Sequence, residues 1–209
     1  MTFAEDNDGW IDGMLSGAGF ASYIAECDGD VAAAWHLYMW NISTSAAFYP
    51  LLHFVEVTLR GALHRELAIR FGRADWWSVA LLNEHGQRLV KEAQAKVSAP
   101  RSPQNSEDLV TKLTFGFWVS LVSRTYDRTL WVPALYRAFP EYRGRRDALH
   151  AELGEVLRLR NHVMHHEPIH RRDLQADHDV IYQLLGYMSR GLAAAVRQDD
   201  QVPNILRLR

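Results

Sequence analysis

Leu52, Val55, Leu59, Leu63 and Leu67 recur at steps of three and four. That spacing lays one apolar stripe along a helix, whereas a strand, whose side chains alternate between faces, has no use for it. The same period runs through most of the 209 residues and alternating patterns are scarce, so the sequence reads as an all-α chain. Turn and cap residues divide it. A weak first helix over 14–26 is loosened by Gly17 and Gly19. Gly29 resets the chain, and Asp30 is a suitable N-cap for a helix to about residue 41. Ser43-Thr44-Ser45 is expected to end that helix and cap a second over 46–71, with Pro50 tolerated near its start or kinking the junction. Gly72 then closes it.

Asp75 caps a segment holding Trp76 and Trp77, and a helix over 84–97 follows. Residues 98–106, with two prolines, form the clearest loop. A helix from Ser106 to about Ser123 carries Leu113, Phe115, Phe117 and Trp118, which are expected in the core rather than stacked on bases. A connection over 125–140 has a short helix after Pro133. Gly144 introduces a helix to about His166, and Asp173 caps a last one to about Arg197. The resulting organisation is a flexible N-terminus (1–12), one helical domain (13–198) and a loose C-terminal tail (199–209).

The net charge of −2 gives no global reason to expect nucleic-acid binding, which would need a local basic surface instead. The basic residues are nearly all arginine, a bias that a GC-rich genome also produces. Cys27 is the only cysteine, which excludes an internal disulfide and a cysteine-based zinc site. No apolar run approaches the roughly 18 residues that span a bilayer. The acidic, polar start is no signal peptide, so no membrane association and a cytoplasmic location are expected.

Arg160-Asn161-His162-Val163-Met164-His165-His166-Glu167-Pro168-Ile169 concentrates the chemistry. Protonatable imidazoles beside a fixed guanidinium are phosphate-handling groups. Pro168 stops the helix that carries them. On a helical wheel with Leu149 at zero, Arg160 falls at about 20°, inside the stripe of Leu153, Val156, Leu157 and Met164, while Asn161 and His165 fall at about 120° and 160°. A guanidinium in that stripe needs an acid, carbonyls or a ligand phosphate. His165 and His166 stand in the last turn, where positive charge is favoured. RNA supplies its own nucleophile, so a ribonuclease needs only a base for the 2′-hydroxyl, an acid for the leaving 5′-oxygen and a cation for the phosphorane, and no metal or cofactor. The bare Arg–His spacing carries little, because a chain this rich in both holds about one such pair by chance.

The stretch resembles the Arg-Asn-x-x-x-His-His-Glu-Pro-Ile signature of Abi-like (abortive-infection) proteins of the HEPN superfamily. Tyr38-Met39-Trp40-Asn41, Glu56-Val57-Thr58-Leu59-Arg60, Phe115-Gly116-Phe117-Trp118 and Leu130-Trp131 follow the same family pattern in order, over residues 16–191. The resemblance implies an HEPN-type helical bundle with additional helices, a homodimer with a composite active site, and a metal-independent endoribonuclease in phage defence or a toxin–antitoxin system. An antitoxin or regulatory RNA would then be a partner. By the same resemblance Arg160 and His165 are catalytic and Asn161 orients them, with His166, Glu56 and Arg60 in support. The chain departs from the pattern at His162 and Val163-Met164, where relatives carry Arg and a small residue, and at Gly61, where Asn often follows the arginine.

Four plainer readings stand beside this one. Glu56 and Arg60, one turn apart, form a helical ion pair. Arg160 pairs internally with Glu56 or another acid, and the histidines are ordinary surface residues. His162, His166, Glu167 and His170 bind zinc, although Pro168 breaks the helix that geometry requires. The chain is a non-catalytic HEPN scaffold that binds RNA or a protein.

Overall fold

The computed structural model describes residues 18–97 and 105–208. The expected flexible stretch 1–12, the start of the first expected helix and most of the 98–106 loop lie outside them. Within the described residues every regular element is helical and there is no strand. No described helix is long and apolar enough to cross a membrane.

After α1 (Ala18–Glu26), the molecule is organised on α2 (Val31–Phe71), a single helix of 41 residues. Asp30 caps it through a carboxylate that accepts from the Ala33 amide, and Gly72 ends it in the left-handed region at φ 66°. The break expected at Ser43-Thr44-Ser45 does not occur. Thr44 is buried, and its hydroxyl donates to the Trp40 carbonyl at 2.7 Å, so its polar atom is satisfied inside the helix instead of capping a new one. Pro50 sits mid-helix, where an isolated helix would lose about 3 kcal/mol. Burial of Phe48, Leu51, Leu52 and Val55 on either side holds the helix together there.

A 3₁₀ turn (Trp76–Ser78) buries Trp76, whose indole N–H donates to His64 Nδ1 at 3.0 Å. Helices α3 (Glu84–Ala95) and α4 (Asn105–Lys112) follow. The single helix expected over 106–123 is broken, because Thr114 turns its hydroxyl to the Phe117 amide and caps a separate α5 (Phe115–Ser120). Leu113, Phe115, Phe117 and Trp118 are buried as expected, which leaves them unavailable to bases. Short turns over 124–138 lead to α6 (Arg146–Met164), the helix that carries the Arg–His motif.

Asp173 caps α7 (Leu174–Met188) by accepting from the Ala176 amide. The helix expected to continue to residue 197 stops where Ser189 takes an extended conformation and caps α8 (Arg190–Val196). The region expected as the tail carries a further helix, α9 (Val202–Leu206), with Val202 fully buried and the Ile205 carbonyl accepting from the Trp40 indole. Asp200 anchors it, accepting from the Tyr182 hydroxyl at 3.0 Å and lying 2.6 Å from His178 Nε2. One core cluster gathers residues from Phe48 to Val202.

Candidate functional site at the end of α6

The buried face of α6 is made by Leu149, Leu153, Val156, Leu159 and Val163. Leu157 and Met164 are only half-buried, so the face is turned toward Leu159 and Val163. Arg160, at about 20°, still falls between Leu149 and Leu153 within that face, and near the helix end its side chain is 29% exposed. Its Nε donates to Glu56 Oε2 of α2 at 3.3 Å, and the Glu56 side chain is 22% exposed. The acid that the sequence reading required is thus Glu56. The Glu56–Arg60 pair expected within α2 is replaced by this contact between helices, and among the described residues Arg60 holds no ion pair.

Helix α6 ends at Met164. His165 is its C-cap, with the amide donating to the Asn161 carbonyl at 2.9 Å. His166 lies beyond the helix at φ 58°, a left-handed conformation that favours glycine. Asn161, His165 and His166 are all exposed, and among the described residues no hydrogen bond joins any of their side chains to Arg160. The structure thus brings Arg160 and Glu56 together. It leaves Asn161, expected to orient the catalytic pair, without a side-chain hydrogen bond among the described residues.

The remaining histidines are separated. His162 Nδ1 lies 2.9 Å from Glu167 Oε2. His170 is buried, its ring centroid 4.7 Å from that of Tyr23, a phenol that burial pushes up to about 12. Among the described residues no three His, Cys, Asp or Glu side chains are gathered as metal ligands, so the zinc alternative lacks its geometry.

Asn41 is the residue that the motif reading undervalued. It is buried on α2, and its side-chain oxygen accepts from the amides of Ile169 (2.8 Å) and His170 (3.1 Å). It therefore fixes the turn that follows Pro168. In the sequence it stands in the Tyr38-Met39-Trp40-Asn41 pattern, with no role attached to its amide. No family model matches the sequence, and no curated protein or solved structure matches it.

Chemically, a guanidinium held at Nε keeps its plane fixed while its two Nη groups stay free for a phosphate oxygen. The exposed imidazole of His165 lies one helical turn and a residue further on, at the surface where a solvated polymer can reach it.

Proposed function

We propose that this protein is a metal-independent endoribonuclease of the HEPN type, Abi-like, acting in phage defence or in a toxin–antitoxin system. The observation that carries the reading is Arg160, anchored through Nε by Glu56 at the mouth of a helix end whose His165 is exposed. In the reaction the RNA 2′-oxygen attacks the adjacent phosphorus and the P–O5′ bond breaks. The products are a 2′,3′-cyclic phosphate and a 5′-hydroxyl. Arg160 stabilises the phosphorane, His165 exchanges a proton with the 2′- or the 5′-oxygen, and His166 is a second proton carrier. Asn161 keeps its orienting role only if the bound RNA or a second copy gives its amide a partner.

A homodimer suits this arrangement, since a second copy adds a second set of motif imidazoles and a second guanidinium to the site. Met39, Ile42, Tyr49 and Val57 are exposed within about a quarter-turn of one another on α2, and this strip runs up to Glu56. A second copy seated on it sets a second motif end beside the first.

The test is incubation of labelled RNA with purified protein in a chelator. Wild type cleaves and leaves cyclic phosphate ends, and His165→Ala loses cleavage with its melting temperature unchanged. Intact RNA with wild type, with and without divalent metal, would overturn the nuclease. The Glu56–Arg160 pair itself favours one second reading, a non-catalytic HEPN scaffold that binds RNA or a protein, because a paired arginine also has a purely structural use.

A further inference from the structure

Residues 124–150 carry six arginines (124, 128, 137, 143, 145 and 146) against three carboxylates (Asp127, Glu141 and Asp147) in a protein whose net charge is negative. Each carboxylate is already taken. Asp127 accepts from Arg146 at 3.0 Å, Asp147 holds Arg145 in a two-pronged contact, and Glu141 pairs with Arg190. Among the described residues Arg124, Arg128, Arg137 and Arg143 therefore have no carboxylate partner. Arg137 and Arg143 donate to backbone carbonyls through one Nη each, which fixes the stem and leaves the rest of the fork outward.

Two clefts open on this segment. The first, of about 830 Å³, is lined by Arg124, Arg145, Arg146 and His150 with the two paired aspartates. Arg146 forms its rigid wall, with only 15% of its side chain exposed and a further bond to the Val122 carbonyl. His150 is held below the usual imidazole range, first by burial and then by Arg146. The second cleft, of about 520 Å³, is aromatic and includes Trp131, Tyr136 and Tyr142 beside Arg137 and Arg143. Tyr136 is 47% exposed, with Arg137 over one face of its ring at 5.0 Å. The turn 142–145 separates the clefts. The Tyr142 hydroxyl donates to the Arg145 carbonyl at 2.8 Å, and Gly144 is needed there because a Cβ would collide with the Tyr142 ring.

Free guanidinium groups next to partly exposed rings match the two repeating parts of an unpaired nucleic-acid strand, phosphate and base face. A duplex offers the phosphates but hides the base faces. We infer that the segment 124–150 is a binding surface for single-stranded RNA, with phosphates on the unpaired Arg124, Arg137 and Arg143 and a base stacked in the aromatic cleft. The inference rests on the ribonuclease reading only for the choice of RNA as the strand. The surface is separate from the Arg160–His165 end, at the opposite end of α6, and it supplies substrate grip that the motif end lacks.

The experiment measures fluorescence anisotropy of a labelled twelve-nucleotide oligouridylate, and of a duplex of the same length, in a His165→Ala background that keeps the RNA whole. Single strand binds more tightly than duplex. Tyr136→Ala weakens binding by about fivefold or more and Tyr136→Phe restores it. Arg124→Glu with Arg143→Glu weakens it by at least about tenfold and flattens the salt dependence. Circular dichroism confirms that these exposed substitutions leave the fold intact. Unchanged binding in the variants, or no binding by the parent at low salt, overturns the surface. So does equal competition by polyglutamate with no effect of Tyr136→Ala, which would point to an acidic protein segment. Cleavage by wild type together with variant-insensitive binding discards the surface and keeps the nuclease, and variant-sensitive binding without cleavage does the reverse.

Discussion

At the C-terminal end of α6, Arg160 gives its Nε to Glu56, and three exposed side chains, Asn161, His165 and His166, follow it in the chain without hydrogen-bonding to it. At the N-terminal end, Arg145 and Arg146 hold the local aspartates, and the arginines leading into the helix have no acid left to pair with. At the motif end the arginine is held by a carboxylate and exposed imidazoles follow it in the chain, whereas the other end has a surplus of cations beside aromatic rings. The first arrangement suits chemistry at one phosphorus, where a fixed charge is worth most. The second suits attachment along a strand, where many loosely held charges release counterions. Proximity to a motif therefore says little about which arginines grip a polyanion; what matters is whether a carboxylate has already claimed them.

The largest expected effect comes from removing the held cation. Arg160→Ala lowers RNA cleavage by roughly 10²–10³-fold in single-turnover assays, the loss typical of one transition-state donor. Retention of full cleavage would make Arg160 a structural partner of Glu56 and nothing more. Next, Asn41→Ala removes the acceptor of two buried amides and lowers unfolding stability by about 1–3 kcal/mol in denaturant titration. Cleavage falls with it, because the turn behind His165 and His166 is released; a variant as stable as wild type would show that water replaces the amide.

Glu56→Gln makes the motif end resemble the arginine-rich end by freeing one guanidinium. RNA binding then tightens and the slope of log affinity against log salt steepens by about one, read by anisotropy, while cleavage drops because the guanidinium is no longer held. An unchanged slope would mean that Arg160 does not meet phosphate.

The smallest effect concerns His150. Burial and Arg146 depress its folded-state pKa, so the unfolded chain takes up the proton first as pH falls. The stability present above the ordinary imidazole value of about 6.5 is lost as pH drops below it. His150→Gln flattens the melting-temperature profile between neutral and mildly acidic pH; an unaltered profile would assign the dependence to another group. One such group is His64, which burial also lowers and whose Nδ1 must stay unprotonated to accept from Trp76.

Local chemistry was legible in the sequence wherever a residue acts on its neighbours. Asp30, Gly72 and Asp173 cap the helices assigned to them, and the stripe from Leu52 to Leu67 is buried. The same local reading misplaced three helix boundaries, because a hydroxyl can serve either outcome. Thr44 bonds back into its helix, whereas Thr114 and Ser189 turn forward and start new ones, and tertiary burial decides between them. At the site, the motif residues were visible, and Glu56 was one of several candidate partners. Which carboxylate Arg160 takes depends on how α2 and α6 pack, over a separation of 104 residues. Asn41 and the docking of Asp200 in the tail were illegible for the same reason, since each becomes meaningful only beside a distant partner.

Asn41 has a consequence for the order of events during synthesis. The helix that bears it is made early, but its partner amides at Ile169 and His170 come 128 and 129 residues later, and the neighbouring Trp40 waits for Ile205. The turn behind the Arg160–His165 end therefore acquires its Asn41 support only once residue 170 has been made, and the Trp40 contact beside it only once residue 205 has. A chain stopped between residues 170 and 205 carries every motif side chain and both amides that Asn41 holds, but lacks the carbonyl to which the neighbouring Trp40 donates.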